Sequence, residues 1–163
     1  MLAVSPATEP DVPALAVLME ELDRFYGATD VEPIGRRVEQ IRGAILGPAP
    51  AAHVLLAKER DDVIGLAAYS FLWPAAGATT SLFLKELYVR QDQQRRGVGR
   101  RLMQAVASVA VAAGCSRVEW QTEDGNERAK QFYRSLGEPR HPGKVFYRLS
   151  GEGLRRLAEG IDA

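Results

Sequence analysis

The sequence predicts a single α+β (mixed α/β) domain over residues 1–163, in which an antiparallel meander leads into a strand–helix–strand–helix unit. Three observations indicate this class. Strand-like runs at residues 54–58, 63–73 and 82–89 are separated by polar or breaker-rich turns. A run with helical spacing starts beside a pair of glycines. A short strand-like run at residues 118–122 follows it, which implies a crossover connection.

The N-terminal elements precede the meander. Residues 2–5 predict an edge strand, and Thr8 with the acids after it predicts the start of a helix that Gly27 ends. A second helix is expected over residues 32–46, where apolar residues recur on one face and a Gly-Pro pair follows. In the predicted order along the chain, two helices therefore lie between the first strand and the meander.

The C-terminal elements begin with the long amphipathic helix, which Gly114 closes. Residues 126–136 predict a further helix that Gly137 ends, residues 144–149 predict a strand, and residues 152–158 predict a short final helix. No internal repeat, low-complexity stretch or linker interrupts this order, so we expect one domain.

Composition excludes several classes of protein. Lys+Arg and Asp+Glu both number 21, and this balance argues against a nucleic-acid binder. One cysteine and two histidines give no basis for a disulfide framework or a protein-built metal site. The sequence contains neither an apolar run of membrane-spanning length nor a signal-peptide pattern. We therefore expect a cytoplasmic protein whose cysteine is reduced. It is expected to hold no metal and to bind neither nucleic acid nor membrane.

The zero net charge conceals an uneven distribution. Residues 1–50 hold eight acids and four arginines, whereas residues 90–101 hold five arginines and one acid. One interpretation is two solvated faces. The other is an anion-binding site in the middle of the chain and a surface near the N-terminus that accepts cations.

The glycine-rich turn after residue 89 favours the second interpretation. Gly97 and Gly99 allow close approach of the backbone to an anion, and the N–H groups of the helix that starts there favour negative charge. Three arginines can add charge-assisted contacts to phosphate oxygens: Arg95, Arg96 and Arg100. Leu102 stands where a dinucleotide fingerprint needs its third glycine, and the chain has no Gly-Lys-Ser/Thr of a P-loop.

The spacing Gln94-x-x-Gly97-x-Gly99 resembles the coenzyme A pyrophosphate loop of the GCN5-related N-acetyltransferase (GNAT) family. The pattern N-x-x-A-x-x-F-Y-x-x-L-G over residues 126–137 resembles the second signature of that family. The resemblance covers roughly residues 63–137. Within the family the sequence is most similar to the diamine (spermidine/spermine and thialysine) acetyltransferase branch, on residues 117–126, the Trp-Pro pair at 73–74 and the tail at 147–151.

This resemblance implies the GNAT fold and acetyl-CoA as the acetyl donor. The fold has a central mixed, twisted sheet of six to seven strands flanked by four to five helices, splayed between the strand at 82–89 and the strand at 118–122. The implied coenzyme-binding residues are Leu87, Tyr88, Val89, Gln94, Arg95, Arg96, Gly97, Val98, Gly99, Arg100, Asn126 and Tyr133. Asn126 is expected to contact the coenzyme, to cap its helix, or to do both.

The resemblance also implies direct attack of an amine on the acetyl thioester in a ternary complex. An alkylammonium group with a pKa of about 10 must first lose a proton. For this step we assign Glu86, acting through water, with Asp124 and Glu119 as alternative acids. The backbone N–H of Leu87 is expected to stabilise the thioester oxygen, and Tyr133 is expected to protonate the leaving thiolate.

The expected acceptor is the primary amine of a small cationic molecule, such as a polyamine, an amino acid or an aminoglycoside. The residues expected to contact it are Glu86, Asp124, Trp73, Trp120 and Tyr26. Acetylation of protein lysines or N-termini, and a non-catalytic acyl-CoA-binding module, remain alternative interpretations. The resemblance further implies a homodimer that pairs through residues 144–149 and the helix after them.

Overall fold

A computed structural model describes residues 1–137, 140–141 and 143–160. The chain divides into two compact units, Met1–Asp124 and Gly125–Ala163. The first unit contains a sheet and three α-helices, and the described residues of the second unit form two short helices. The expectation of one domain over residues 1–163 stays a prediction. In the part of the chain that the structure describes, none of the helices has the length and apolar character needed to cross a bilayer.

The sheet of the first unit has its strands in sequence order. They are β1 (Leu2–Pro6), β2 (His53–Glu59), β3 (Asp62–Leu72), β4 (Ser81–Val89) and β5 (Arg117–Trp120). Each of the first four pairs antiparallel with its neighbour, which confirms the meander, and β5 pairs parallel with β4. The described residues form five strands, so the expectation of six to seven was too high.

Helices cover both faces of this sheet. α1 (Val12–Phe25) and α2 (Ile34–Ile45) share one apolar cluster with Leu66 of β3 and Tyr88 of β4. Successive side chains of a strand point to opposite faces, so Gly65 faces the other side. There a Cβ on Gly65 would lie 3.3 Å from Leu102 of α3 (Val98–Ala112). The sheet is therefore buried on both faces, as expected for a crossover helix packed opposite the N-terminal helices.

β4 changes its pairing half-way along its length. Its ladder with β5 runs only from Ser81 to Leu84, and its ladder with β3 carries a bulge in which Lys85 is the extra residue. A bulge bends its strand and increases the local twist. The C-terminal half of β4 therefore lies beyond the end of the β5 ladder, which agrees with the predicted splay between these two strands.

The helices that the structure describes in the second unit are α4 (Glu127–Arg134) and α5 (Gly151–Ala158). Residues 143–150 between them have no regular structure, so the prediction of a strand at 144–149 was wrong. The side chains of Val145, Phe146 and Tyr147 in this segment are exposed. Aromatic and β-branched residues favour a strand only where a neighbouring strand and a packed face accept them. Among the described residues, this segment pairs with no strand of the sheet.

Candidate active site

The open edge of β4 presents backbone N–H groups. Arg90 donates its N–H to Ile64 of β3 at 3.0 Å, directly across the antiparallel ladder. Hydrogen-bonded and non-hydrogen-bonded positions alternate in such a ladder, and the register from residue 86 to 89 is regular. Leu87 and Val89 therefore direct their N–H groups away from β3, toward the side where the β5 ladder has ended.

Tyr88 is oriented the opposite way. Its backbone N–H faces β3 by the same alternation, and its side chain, only 7% exposed, packs with the residues of α1 and α2. A ligand that lies beside β4, where the β5 ladder has ended, can therefore pair with the backbone N–H groups of Leu87 and Val89 but not with that of Tyr88.

The turn between β4 and α3 (residues 90–97), called the cradle, has a backbone geometry that suits an anion. Arg95 has φ 63° and Gly97 has φ 81°, so the backbone here twice adopts the left-handed region. A Cβ on Gly97 would meet nothing within 4 Å, which shows that this side of the turn is open. The first helical hydrogen bond runs from the Arg101 N–H to the Gly97 carbonyl at 3.1 Å. The helix backbone therefore does not engage the N–H groups of Val98 and Gly99, and these groups suit a phosphate.

Gln94 connects this cradle to the strand. Its side-chain Nε2 donates to the Val89 carbonyl oxygen at 2.7 Å. The contact fixes the turn to the end of β4. It occupies the carbonyl oxygen of Val89, whereas the Val89 N–H takes no part in it. In this structure Gln94 therefore positions the cradle, and its expected coenzyme contact remains a prediction.

Two arginines near the cradle are paired with acids of the β2–β3 hairpin. Arg96 contacts both carboxylate oxygens of Glu59, at 3.0 and 3.1 Å, and Arg90 contacts those of Asp62, both at 3.1 Å. Arg96 also donates to the side chain of Gln93. A phosphate bound by Arg96 would have to replace or share the Glu59 carboxylate.

Glu86 lies half-buried on β4, immediately before Leu87. The hydroxyl of Tyr26 donates to its Oε1 at 3.2 Å. Burial raises the pKa of Glu86, while the Tyr26 hydrogen bond, the charge of Lys85 and the Leu87 N–H act in the opposite direction. A carboxylate with a raised pKa is a stronger base than an ordinary glutamate, which suits removal of a proton from an amine.

Tyr26 adjoins a second acid. Desolvation of its hydroxyl and the negative charges of Glu86 and Glu123 raise the pKa of Tyr26 to about 12. The phenol therefore stays protonated and acts as a donor at neutral pH. Sequence reasoning did not select Glu123, because an acid in the polar segment after β5 has no spacing that distinguishes it from a solvated one.

The other expected acceptor residues occupy less enclosed positions. Trp73 is 70% exposed, and its indole N–H donates to the Ala78 carbonyl at 3.0 Å within the loop after β3. Trp120 is half-buried at the end of β5, and Asp124 is exposed at the end of the first unit. Their contact with an acceptor stays a prediction.

The second unit contains two of the expected site residues. Asn126 caps α4, since its side-chain oxygen accepts from the Ala129 N–H at 3.0 Å, which confirms the capping interpretation. Tyr133 is half-buried on α4, and its ring lies 5.2 Å from that of Phe132. Coenzyme contact by Asn126 and Tyr133, and the proton donation by Tyr133, stay predictions.

A sequence profile of the acetyltransferase (GNAT) family matches residues 15–137. This match spans most of the chain and includes the open edge of β4 and the glycine-rich cradle. The chain belongs to the GNAT acetyltransferase family. Membership makes it an N-acetyltransferase and confirms the resemblance read from the two sequence signatures.

Relatives of this GNAT protein include enzymes that acetylate small amines. It is 27% identical to the thialysine N-ε-acetyltransferase of Bos taurus over 95% of this chain and 96% of that protein. It is 29% identical to the L-ornithine N5-acetyltransferase of Arabidopsis thaliana over 66% of this chain and 48% of that protein. The first similarity agrees with the diamine branch that the sequence indicated.

Solved structures give the same fold. An integron cassette protein from the mobile metagenome of V. cholerae superposes with a TM-score of 0.89 at 26% identity, covering 97% of this chain and 98% of that one. An aminoglycoside N-acetyltransferase in complex with CoA superposes with a TM-score of 0.75 at 18% identity, covering 91% and 95%. At that identity the second comparison establishes the fold alone.

The residues of this GNAT chain fit a diphosphate-containing cosubstrate. The open side of Gly97, the helix-start N–H groups and the nearby guanidinium groups are the chemistry that a diphosphate requires. Within the described part of the chain, no group of three or more His, Cys, Asp or Glu side chains could hold a metal ion.

Proposed function

We propose that this protein transfers the acetyl group of acetyl-CoA to the primary amine of a small cationic molecule in the cytoplasm. One observation carries the proposal. Glu86, a half-buried carboxylate with a raised pKa, directly precedes the backbone N–H groups that β4 directs into the splay. A base and a donor for a developing oxyanion are thus consecutive residues on one strand.

The coenzyme would be held by backbone more than by side chains. The N–H groups of Val98 and Gly99 and the open face of Gly97 would receive the diphosphate, with Arg95, Arg96 and Arg100 as its cationic surroundings. The Val89 N–H would pair with the pantetheine arm as a strand pairs with its neighbour. When bound, acetyl-CoA supplies the acetyl thioester that the amine attacks.

Three groups of the chain would then perform the chemistry. Glu86 would accept, through water, the proton that the substrate ammonium must lose before attack. The Leu87 N–H, which acts on the Glu86 carboxylate in this structure, would donate instead to the carbonyl oxygen of the acetyl group as that oxygen gains negative charge. Tyr133 would donate its hydroxyl proton to the departing thiolate sulfur as the C–S bond breaks, and the second proton that the nitrogen loses on forming the amide would pass through solvent and restore the phenol.

The charge near Glu86 supports a cationic acceptor. Glu86 and Glu123 both act on the Tyr26 hydroxyl, so two carboxylates lie in one neighbourhood, and residues 1–50 add an excess of acids. The thialysine and ornithine enzymes among the relatives are named for substrates that carry more than one amine. We therefore propose a diamine or a diamino acid as the acceptor class.

The deciding assay measures thiol release from acetyl-CoA with thialysine, L-ornithine, L-lysine, spermidine and an aminoglycoside. We expect turnover with at least one diamine and a mass increase of one acetyl group on the product. Bound CoA without turnover on any amine would contradict catalysis and favour a binding module. Acetylation confined to proteins of a lysate would contradict the small-molecule acceptor.

We expect Glu59→Gln to tighten CoA binding. The variant removes the carboxylate that holds Arg96, so the guanidinium becomes available to a phosphate without breaking an ion pair. Exposed ion pairs contribute at most about 1 kcal/mol, which corresponds to a gain of about two- to fivefold in affinity. Isothermal titration calorimetry with CoA at low ionic strength measures this change.

Asp62→Asn is the matched control for this prediction. It removes the same charge from the same hairpin, but the arginine it affects is Arg90, which keeps its ion pair with Asp92 at 3.3 Å and is not among the expected phosphate contacts. Equal gains in both variants would indicate a general charge effect, and unchanged or weaker binding by Glu59→Gln would show that Arg96 does not bind the coenzyme.

We also propose that the protein is a homodimer. Six apolar side chains of the second unit are exposed: Val145, Phe146, Tyr147, Leu149, Leu154 and Leu157. Contiguous exposed apolar residues mark interaction surfaces, and a strand-forming sequence without a ladder is suited to pairing with a second copy. Light scattering is expected to give twice the chain mass of 17.8 kDa.

The substitution Tyr147→Lys tests whether this surface forms the dimer contact. Tyr147 is 87% exposed, so Tyr147→Lys leaves the core of one chain intact but places a charge in the proposed contact, and we expect it to give monomers. Val111→Lys on α3, at a residue 79% exposed, is expected to leave the mass unchanged. A monomeric wild-type protein would refute the proposal.

A further inference from the structure

The Tyr26–Glu86 hydrogen bond joins two elements that are distant in sequence. Tyr26 immediately follows α1, Glu86 lies on β4, and the phenolic oxygen is 3.2 Å from Oε1. Tyr26 was expected only as an acceptor contact. In the structure its hydroxyl is turned instead to the carboxylate that the proposed function uses as the base.

The position of the Tyr26 ring is set by neighbours on both elements. Its backbone N–H donates to the Leu22 carbonyl at 3.1 Å, which fixes the end of α1. The Phe25 ring meets the Tyr26 ring edge-on at 5.4 Å and lies 6.1 Å from the ring of Tyr88. Tyr88 is buried in the core, so a chain of aromatic contacts connects Tyr26 to the strand that carries Glu86.

The Tyr26 donor binds the ionised form of Glu86 more strongly than the protonated form. A phenol with a pKa of about 12 stays a donor, and donation favours the ionised carboxylate. The charged groups that act here are Lys85 on β4, which also favours ionisation, and Glu123 after β5, which keeps the phenol protonated. Burial alone would leave a larger fraction of Glu86 protonated and unable to accept a proton.

We propose that Tyr26 is a positioning residue, which holds Glu86 ionised and in one orientation beside the Leu87 N–H. The inference rests on the proposed function in that Glu86 is taken as the base. Tyr26 acts through Glu86 and does not itself touch the reacting atoms. Its expected signature is a change in pH dependence that a structural tyrosine would not produce.

The kinetic test compares pH profiles of kcat/KM for Tyr26→Phe and wild type, with acetyl-CoA and the diamine that is turned over. The variant keeps the ring and its contact with Phe25 but loses the hydroxyl. We expect about a tenfold loss at the acidic end and little loss on the alkaline plateau, since a hydrogen bond to a charged group contributes about 1.5 kcal/mol. Tyr69→Phe, whose ring stacks on His53, is the matched control and should keep the wild-type profile.

A second measurement needs no substrate. In protein labelled with ¹³C at the glutamate carboxyls, the Glu86 signal is the one absent from Glu86→Gln. Its titration midpoint should be higher in Tyr26→Phe than in wild type and in Tyr69→Phe. A shifted midpoint in a protein that acetylates no amine would refute the proposed function and support this inference.

Two results would overturn the inference. An unchanged midpoint in Tyr26→Phe would show that the hydroxyl does not control the ionisation of Glu86, whatever the activity. A loss of activity that is equal at all pH values and accompanied by a raised KM for the amine would show that Tyr26 binds the acceptor directly.

Discussion

Glu86→Gln is expected to lower kcat for acetyl transfer by about 10²- to 10⁴-fold, the range typical of a general base. Gln has nearly the same shape, and its side-chain oxygen can still accept from Tyr26, so the packing of β4 is retained. What is lost is the ability to take a proton. Steady-state kinetics with acetyl-CoA and the diamine of the deciding assay measure the change, and CoA affinity should stay within twofold of wild type.

The pH dependence of the wild-type enzyme gives the same residue a second test. The pKa of Glu86 is raised by burial, so the base becomes ionised at a higher pH than an ordinary glutamate. The rate on the acidic side should therefore fall at pH values where an unperturbed glutamate would still be fully ionised. This limb should disappear in Glu86→Gln, which has no carboxylate at this position.

A measurement of thermal stability distinguishes a loss of catalysis in Glu86→Gln from a loss caused by unfolding. A carboxyl whose pKa is raised in the folded state stabilises the fold at low pH, and this contribution is lost as the pH rises through the folded-state pKa. At pH 8, Glu86→Gln should therefore melt at or slightly above the wild-type temperature. Lower activity with an unchanged melting temperature assigns the effect to chemistry.

Glu119→Gln is the control for this prediction, because Glu119 is an alternative acid on the neighbouring strand β5. Its activity should stay within a few-fold of wild type. A large loss in Glu119→Gln together with a small one in Glu86→Gln would exchange their roles, and near-normal activity of both would exclude each as the base.

The elements that organise the site could be predicted from local patterns. The meander, α3 and α4 follow from apolar spacing and from glycines at the helix ends, and the cradle follows from a glycine pair at a strand-to-helix junction. Asn126 could also be assigned as a helix cap, because the side chain of a capping residue bonds only to backbone N–H groups a few residues further along the chain. Interactions of short range are encoded in short stretches of sequence.

The contacts that tune the site could not be predicted in this way. Tyr26 and Glu86 are 60 residues apart, and Arg96 and Glu59 are 37 apart. Both pairs depend on how α1 and the β2–β3 hairpin pack against β4 and its turn, and many acids of this chain are equally plausible partners. The strand prediction at residues 144–149 failed for a related reason, since pairing is decided by a partner and not by propensity alone.

Gly97→Ala is expected to weaken CoA binding by about 5- to 30-fold. The residue has φ 81°, where a Cβ costs about 1–2 kcal/mol, and relief of that strain would rotate the peptides that present the N–H groups at the start of α3. In the unliganded protein the added methyl meets nothing within 4 Å, so the chain should still fold. Calorimetric titration with CoA, alongside thermal unfolding, measures both quantities.

Gly114→Ala provides a control on the same helix. Gly114 follows the other end of α3 with φ 69°, and a Cβ there also meets nothing within 4 Å, so the two substitutions impose a similar backbone strain. Both variants should therefore lose a similar amount of stability, but only Gly97→Ala should lose affinity. Wild-type affinity in Gly97→Ala would mean that the diphosphate binds elsewhere, and equal losses in both variants would attribute the effect to the stability of α3. A selective loss at position 97 would support binding of the anion at the turn where the helix begins.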